Sequence, residues 1–410
     1  NAEKAAKTSQ WLDETFNGDF LTLIDESIPH EDSDNRLKAY RKFYRETGKK
    51  TDSLIFVHLA AILNGAKVEG KLFQTEFDWA ELNFAHIPVG VLSQVYESFS
   101  HLDDPDKAAR NSVHYTPRII ANLMVDQAFS SSQQPASATV LDPSCGAGIF
   151  LVLSFRRLIM ERWMRDDKRP DVRVIQDTLY KHLRGFDVSE SALRLAALSL
   201  YITAIELNAT PYPPKSLRFP KNLRDSVLHH FGPADDENEN VAFSLGSLQD
   251  EVAETFAGQF DIVIGNPPWT RLREKEPENT EKALAEKREK NNISPSALMN
   301  ADFTRIGREV FKERGLDDLA KRYESPDKNP DLPFIWRSTQ WAKEDGIITL
   351  ALPARIMHRS GKKGGTTWEA IARTLFVTGL INGSNLRQTG VWEGVDFPNR
   401  LRGSYRRQRG

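Results

Sequence analysis

The run Ala138-Thr139-Val140-Leu141-Asp142-Pro143-Ser144-Cys145-Gly146-Ala147-Gly148 decides the fold of this chain. Residues 138–142 are a short apolar segment that predicts a buried strand, and the proline and glycines behind it predict a turn into a helix over about 147–164. Glycines let a ligand approach the backbone closely, and a helix N-terminus offers unpaired N–H groups. Small residues also suit a strand–turn–helix unit that only packs, so this motif alone leaves both interpretations open.

The pattern of a strand followed by a helix recurs toward the C-terminus. Further strands are predicted from the apolar runs 182–187, 241–245, 260–264 and 346–352. Ser189 is placed to cap a helix that runs to about Leu207, and another helix is predicted over 331–344. Strands that alternate with helices indicate an α/β domain with a parallel, doubly wound sheet.

Residues 1–110 differ from this region. Segments such as 54–63 and 89–96 carry apolar residues too densely for half-exposed strands, which predicts a mainly helical N-terminal domain. The α/β domain is expected over 111–399, and a basic tail follows at 400–410. Within the α/β domain we predict an acidic surface loop and a solvated helix, at 233–240 and 271–291.

The composition is that of a globular protein of two or three domains. The 410 residues include 55 Lys and Arg, 57 Asp and Glu, and one cysteine. No apolar run approaches the roughly 18–20 residues of a membrane span, so no membrane partner is expected. One cysteine forms no internal disulfide, and with nine scattered histidines it excludes a structural zinc site of the usual spacing. We therefore expect no metal and a reducing, cytoplasmic location.

The overall charge hides an asymmetry. The formal net charge is −2, which gives no global sign of a polyanionic partner. Residues 351–410, however, carry 11 Lys and Arg against 3 Asp and Glu. An arginine-rich tail suits contacts with nucleic-acid phosphates, and an altered or truncated reading frame is the alternative explanation.

Two more motifs stand where predicted strands end. Asp187, in Gly185-Phe186-Asp187, is placed to bond the ribose hydroxyls of a nucleoside cofactor, although a lone acid there is more often a helix cap. In Asn266-Pro267-Pro268-Trp269 the two prolines hold the turn rigid between an amide and an aromatic ring. This arrangement suits a planar ring that carries an amino group, and a structural turn with a buried tryptophan is the alternative.

These motifs, in this order, resemble the S-adenosylmethionine-dependent N6-adenine DNA methyltransferases of restriction–modification and phage-defence systems, with a type IIG-like character. His114-Tyr115-Thr116-Pro117 is a fourth match, just upstream of the glycine motif. The resemblance is detailed over 113–355 and loose over 15–399. It implies a Rossmann-like class I methyltransferase sheet behind an N-terminal helical domain. Such enzymes also carry a C-terminal target-recognition domain, which we expect to be absent from this sequence.

The resemblance also assigns roles to residues. The cofactor-binding set that it implies is His114, Tyr115, Thr116, Pro117, Asp142, Pro143, Cys145, Gly146, Gly148, Asp187, Val188 and Ser247. Within this set Tyr115 and Thr116 hold the methionine end, Asp187 the ribose, and Val188 the adenine ring. Ser247 stands where the family often has Asp or Asn, which leaves that contact open.

The catalytic residues that the resemblance implies are Asn266, Pro267, Pro268 and Trp269. Asn266 and Pro267 accept hydrogen bonds from the N6 amine of the target adenine, and Trp269 stacks on the flipped base. Phe334 either lines this pocket or, as the simpler expectation, packs in the core. The implied function is site-specific adenine-N6 methylation of double-stranded DNA.

Other functions remain open from the sequence. The Asn-Pro-Pro-aromatic motif also occurs in methyltransferases that act on protein glutamine or on RNA bases, and the chain can be a non-catalytic modification subunit. DNA is favoured as the substrate by three features, which are the motif at 114–117, Trp269 and the predicted N-terminal helical domain. A fused nuclease at Asp52 and Glu69-Gly70-Lys71 is the weakest alternative, since such triplets are common. A specificity or restriction subunit is an expected partner.

Overall fold

The computed structural model describes residues 2–19, 23–25, 27–29, 32–50, 66–69, 72–75, 116–208, 219–232, 245–269, 295–326, 329–356 and 361–383. Its helices are α1 (Ala2–Thr15), α2 (Ser33–Lys50), α3 (Arg118–Ser131), α4 (Ile149–Asp166), α5 (Val172–His182), α6 (Glu190–Leu207), α7 (Asp250–Thr255), α8 (Pro295–Glu313), α9 (Asp317–Arg322), α10 (Asp331–Trp341) and α11 (Gly361–Thr374). Its strands are β1 (Ala66–Glu69), β2 (Leu72–Thr75), β3 (Val140–Asp142), β4 (Leu183–Asp187), β5 (Leu228–His230), β6 (Phe260–Gly265) and β7 (Ala342–Leu350).

Five of these strands form one sheet in the order β5-β4-β3-β6-β7, and every neighbouring pair is parallel. The chain runs outward from β3 to β5 and then returns to the opposite side of β3 for β6 and β7. The predicted α/β class and doubly wound topology are therefore confirmed. The direction of winding reverses between β3 and β6, which is where ligands bind in sheets of this kind.

Successive residues of the central strands are buried on opposite faces of the sheet. Val140 and Ile262 belong to a core cluster with helices α3 to α6, whereas Leu141 and Val263 belong to a second cluster with α8 to α10. All four side chains are fully buried. Burial of one such side chain is worth about 1.5–3 kcal/mol, and burial on both faces explains why these strands are continuous apolar runs in the sequence.

Several predicted boundaries need correction. The third strand is Leu228–His230, which pairs with β4 at Gly185, rather than 241–245. Residues 241–244 lie outside the described residues, and Leu245 precedes a 3-10 turn. A three-residue edge strand with two histidines gives only a weak apolar signal, although the run Val227-Leu228 is fully buried.

Two helix ends also differ from expectation. The helix after the glycine motif begins at Ile149 rather than at 147, because Gly146 and Gly148 both have positive φ. Helix α10 ends at Trp341 rather than at 344, because Ala342 pairs with Phe260 as β7 begins. The long helix α8 was not predicted.

The described part of the N-terminal region contains α1 and α2 and also a hairpin of β1 and β2, which the predicted helical domain does not include. Phe16, just after α1, joins the core cluster of the sheet domain. The predicted segments 54–63, 89–96, 233–240, 271–291 and 400–410 lie outside the described residues. None of the helices in the described part of the chain is long and apolar enough to cross a membrane.

Candidate functional site

The carboxyl ends of three neighbouring strands bring the predicted motifs together. Asp142 is the last residue of β3, Asp187 is the last residue of β4, and Asn266 directly follows β6. Because β3 is paired with both other strands, these three side chains stand at one edge of the sheet. This edge includes the point where the winding reverses, so the fold places the polar groups where a ligand is expected.

The glycine loop is fastened to the end of β4. The backbone N–H of Cys145 donates to the carbonyl of Phe186 at 2.8 Å, and that of Gly146 donates to Asp187 Oδ2 at 2.8 Å. Asp187 Oδ1 accepts from the backbone N–H of Ser189, also at 2.8 Å. Burial raises the pKa of Asp187, while these backbone hydrogen bonds act in the opposite direction. Asp187 therefore holds the glycine loop and the start of α6 in one arrangement.

The two glycines with positive φ have different surroundings. A Cβ at Gly148 (φ +87°) would lie 3.1 Å from Ala196 Cβ, so this glycine allows close packing of α4 on α6. A Cβ at Gly146 (φ +51°) would meet no atom within 4 Å. The backbone at Gly146 thus faces open space at the mouth of the site, where a ligand can approach it closely.

Asp142 is completely buried and only partly satisfied. Its Oδ1 accepts from the backbone N–H of Ser144 at 3.2 Å, whereas Oδ2 is a buried atom with no partner in the described residues. Burial raises the pKa of Asp142 well above its usual range. Gly265 packs directly beside it, because a Cβ there would lie 2.8 Å from Asp142 Oδ1.

Ser247 and Val188 lie at the same end of the sheet as the glycine motif. The Ser247 hydroxyl is buried and donates to the Pro143 carbonyl at 2.8 Å, which ties the turn of Gly246–Leu248 to the glycine motif. A Cβ at Gly246 would come within 2.6 Å of Val188 Cγ1. Val188 itself is 39% exposed, so an apolar side chain is presented beside Asp187.

Only the nitrogen of the Asn266 side-chain amide has a hydrogen-bond partner among the described residues. Its Nδ2 donates to Thr116 Oγ1 at 3.1 Å, and its Oδ1 is buried without a partner in the described part of the chain. Thr116 is buried just before Pro117, the N-cap residue of α3. His114 and Tyr115 lie outside the described residues. The structure therefore brings half of the 114–117 motif against the Asn-Pro-Pro-Trp turn.

Trp269 is anchored at both its ring and its backbone. It is 9% exposed, and its indole Nε1 donates to the Ala351 carbonyl at 3.0 Å. Its own carbonyl accepts from Arg355 Nη2 at 2.7 Å, and the same Nη2 donates to Asp331 Oδ2 at 2.8 Å. Sequence reasoning missed Arg355 and Asp331. The available signal was the position of Arg355, three residues beyond Leu352 and just past a predicted strand end.

Phe334 and Cys145 take structural positions. Phe334 is 6% exposed and belongs to the core cluster on the α10 side of the sheet, as the packing interpretation expected. Cys145 is buried, and burial raises the pKa of its thiol, so it packs as an apolar residue. No group of three metal-ligating side chains occurs among the described residues.

Taken together, the crevice offers hydrogen-bond acceptors and an open backbone. The acceptors are the unpartnered Asp142 Oδ2 and Asn266 Oδ1, and the Ser144 hydroxyl is a third buried group without a partner in the described segments. Gly146 supplies the open backbone, and Val188 supplies an apolar surface. Since unpaired buried polar atoms cost about 1–3 kcal/mol each, this arrangement fits a ligand rich in hydrogen-bond donors with a flat apolar part.

Comparison with protein families gives a match over the second half of the chain. The family described as Eco57I restriction-modification methylase matches residues 181–378. Adenine-specific methyltransferase PglX of Streptomyces coelicolor is 23% identical over 195 residues, which cover 42% of this chain and 16% of that protein. Type II restriction enzyme and methyltransferase RM.Eco57I of Escherichia coli is 20% identical over 379 residues, which cover 82% of this chain and 34% of that protein.

Two solved structures are also similar. The DrdV–DNA complex, determined by cryo-electron microscopy, has a TM-score of 0.46 and 15% identity, over 91% of this chain and 35% of that one. The methyltransferase subunit of a type I restriction-modification system from Streptococcus thermophilus has a TM-score of 0.34 and 17% identity, over 90% and 54%. The chain spans about a third or less of the length of the curated relatives that it matches.

Proposed function

We propose, from the match of residues 181–378 to the family described as Eco57I restriction-modification methylase, that this chain transfers a methyl group from S-adenosylmethionine to the N6 amine of adenine in DNA. The observation that carries this proposal is the Asn266 amide at the switch point of the sheet. Thr116 holds its Nδ2, so its Oδ1 is left as a buried acceptor without a partner in the described part of the chain. An exocyclic amine supplies the N–H donor that this atom lacks.

The crevice residues fit S-adenosylmethionine, which when bound supplies the electrophilic methyl group. We assign Asp187 to the ribose hydroxyls and Val188 to the adenine ring of this cofactor. Asp142 and the backbone from Pro143 through Cys145 and Gly146 to Gly148 would lie along its ribose and methionine portions. Tyr115 and Thr116, with His114 and Pro117 of the same motif, would hold the methionine end.

Ser247 acts differently from the residue that the family usually has at its position. Because its hydroxyl donates to the Pro143 carbonyl, we propose that Ser247 sets the position of the glycine motif. Its contribution to the cofactor's adenine amine would then be through an oxygen lone pair or a neighbouring backbone group.

The turn of Asn266-Pro267-Pro268-Trp269 would activate the target amine. The lone pair of N6 is delocalised into the adenine ring, which makes this nitrogen a poor nucleophile. Acceptance of its two N–H bonds by Asn266 Oδ1 and the Pro267 carbonyl favours a pyramidal nitrogen and stabilises the positive charge that develops on it. Asn266 Oδ1 and the Pro267 carbonyl would hold N6 toward the methyl group that the cofactor supplies. The new bond from N6 to this carbon would replace the bond from carbon to sulfur, and one N6 proton would leave to solvent.

The target adenine must leave the DNA stack, at a cost of a few kcal/mol. Stacking on Trp269 would return about 1–3 kcal/mol of this cost. The rigid prolines and the two anchors of Trp269 would hold the acceptor and the ring in one relative position, so that the amine meets the methyl group in line.

The wider setting is also proposed. Residues 1–110 would be a helical domain, 111–399 the catalytic domain and 400–410 a basic tail against DNA phosphates. The protein would act in the cytoplasm, on double-stranded DNA, in a restriction–modification or defence system. Sequence specificity would come from a target-recognition domain or a specificity subunit.

The test is incubation of the purified chain with labelled S-adenosylmethionine and varied DNA, followed by nucleoside analysis. We expect N6-methyladenine from the wild type, and a loss of at least 100-fold in Asn266→Ala with cofactor affinity unchanged, since removal of a stabilising donor or acceptor in a transition state costs about 10²–10³ in rate. The exposed Asn35→Ala is the matched control. Methylglutamine in protein, or near-normal activity of Asn266→Ala, would contradict the proposal.

A further inference from the structure

We propose that Arg355 is a positioning residue, which fixes the backbone of Trp269 and with it the base-binding turn. The inference rests on the proposed function in one respect, which is that this turn binds the target base. The contacts themselves are a property of the described structure and are measurable without any substrate.

Three hydrogen bonds join the turn of residues 266–269 and the residue before it to the loop after β7. The backbone N–H of Ala351 donates to the Gly265 carbonyl at 3.0 Å, and the Ala351 carbonyl accepts from Trp269 Nε1 at 3.0 Å. Four residues further on, Arg355 Nη2 donates to the Trp269 carbonyl at 2.7 Å. The loop after β7 thus contacts residues immediately before and at the end of the turn.

Arg355 is itself fixed by a buried carboxylate. Its Nη2 donates to Asp331 Oδ2 at 2.8 Å, and Asp331 is completely buried. Asp331 Oδ1 accepts from the backbone N–H of Leu332 at 2.8 Å, which holds the carboxylate at the start of α10. A charge-assisted hydrogen bond of this length is about twice as strong as a neutral one. The contact with Asp331 therefore fixes the position of the Arg355 guanidinium relative to α10.

The chemistry of the turn explains why its last residue needs such a contact. Pro267 and Pro268 have fixed φ angles, so the first half of the turn is rigid by itself. Trp269 has no such restriction, and its ring orientation follows from the backbone as well as from the indole N–H. A planar guanidinium reaches the carbonyl and the carboxylate together, whereas the single ammonium of lysine presents different geometry.

The first arm of the test observes Trp269 directly. The full chain is labelled with 5-fluorotryptophan, and the Trp269 resonance is assigned in the ¹⁹F NMR spectrum from its absence in Trp269→Phe. In Arg355→Ala we expect the Trp269 resonance to shift, while those of the buried Trp336 and Trp341 stay in place. An unchanged Trp269 resonance in Arg355→Ala would overturn the proposal.

The matched control is Arg373→Ala. The Arg373 side chain is 35% exposed and pairs with Asp318 and Glu369, and that of Arg355 is 37% exposed, so the two substitutions remove similar ion-paired surface arginines. The control should leave the Trp269 resonance at its wild-type position. A similar shift in both variants would show a general response of the fold and would also overturn the inference.

The second arm measures methyl transfer. We expect kcat to fall at least tenfold in Arg355→Ala, with a smaller loss in Arg355→Lys and an unchanged dissociation constant for S-adenosylmethionine in both. If kcat of Arg355→Ala equals that of the wild type, Arg355 has no positioning role. Absence of transfer by the wild type on every DNA would count against the proposed function instead, and the ¹⁹F arm would then decide the role of Arg355 alone.

Discussion

Asn266 Nδ2 donates to the hydroxyl of Thr116, 150 residues earlier in the chain, at 3.1 Å. This contact joins the end of β6 to the start of α3 and decides which way the amide faces. Because Nδ2 is engaged, Oδ1 is the atom presented as a buried acceptor. The orientation of the proposed catalytic amide therefore depends on Thr116, which the family resemblance assigns to the cofactor.

Replacement of Thr116 by valine should reduce turnover while replacement by serine should not. Valine keeps the shape of the side chain but removes the acceptor for Asn266 Nδ2, and an unsatisfied buried group costs about 1–3 kcal/mol. We expect a fall in kcat of about tenfold to a hundredfold for Thr116→Val. Single-turnover kinetics at saturating cofactor would measure it, and equal rates for the two variants would exclude an orienting role.

Alanine substitutions at Gly146 and Gly148 should have different effects, one mainly on cofactor binding and the other mainly on stability. Both substitutions force an alanine into left-handed backbone, at about 1–2 kcal/mol. Gly148→Ala also crowds Ala196, whereas the new methyl group of Gly146→Ala points into open space at the mouth of the site. We expect Gly148→Ala to have the lower Tm and Gly146→Ala to bind S-adenosylmethionine at least tenfold more weakly. Thermal unfolding and calorimetry would check this, and the reverse ranking would contradict it.

Replacement of Asp19 should loosen the N-terminal segment from the sheet domain. Asp19 is fully buried, and its carboxylate accepts from the Tyr201 hydroxyl and from the backbone N–H groups of Leu223 and Arg224. An asparagine offers one oxygen where the aspartate offers two, so Asp19→Asn should lower the free energy of unfolding by about 1.5–3 kcal/mol. Urea denaturation would measure this loss. The exposed Asp25→Asn is the control, and equal stabilities would refute the assignment.

The stability of the protein should fall as the pH is lowered from about 6.5 to about 4. Burial lowers the pKa of His229 to about 4, so in this range the unfolded chain binds a proton that the folded chain does not. The stability that the neutral His229 side chain contributes is complete above the ordinary histidine pKa of about 6.5. It is lost progressively as the pH falls toward the folded-state pKa of about 4. His229→Phe should reduce this slope and keep the aromatic contacts with Phe186 and Phe231.

Urea denaturation at pH 4.5, 5.5, 6.5 and 7.5 would measure the effect, and an identical slope in His229→Phe would contradict it. Some slope should remain in the variant. Burial also lowers the pKa of His182, with the nearby Arg162 as a second cause, so this histidine contributes in the same direction.

The sequence by itself determined the fold class and the arrangement of the main motifs. Apolar runs of strand length, each followed by a turn and a helix, predicted the parallel sheet, since hydrophobic periodicity is a local property. The motifs at 142–148, 185–187 and 266–269 follow three of those strands, and parallel strands place their carboxyl ends at one edge. The order of these motifs, together with the motif at 114–117, is also what carries the family resemblance.

The tertiary structure decided what those motifs contact. The bond between Thr116 and Asn266, the link from Arg355 to Trp269 and the docking of Asp19 on Tyr201 all join residues far apart in sequence. Partners of this kind follow from the path of the whole chain, because polar side chains have no periodicity that identifies their partners. For the same reason the edge strand β5 was missed, since three residues owe their extended pairing to β4 rather than to their own pattern.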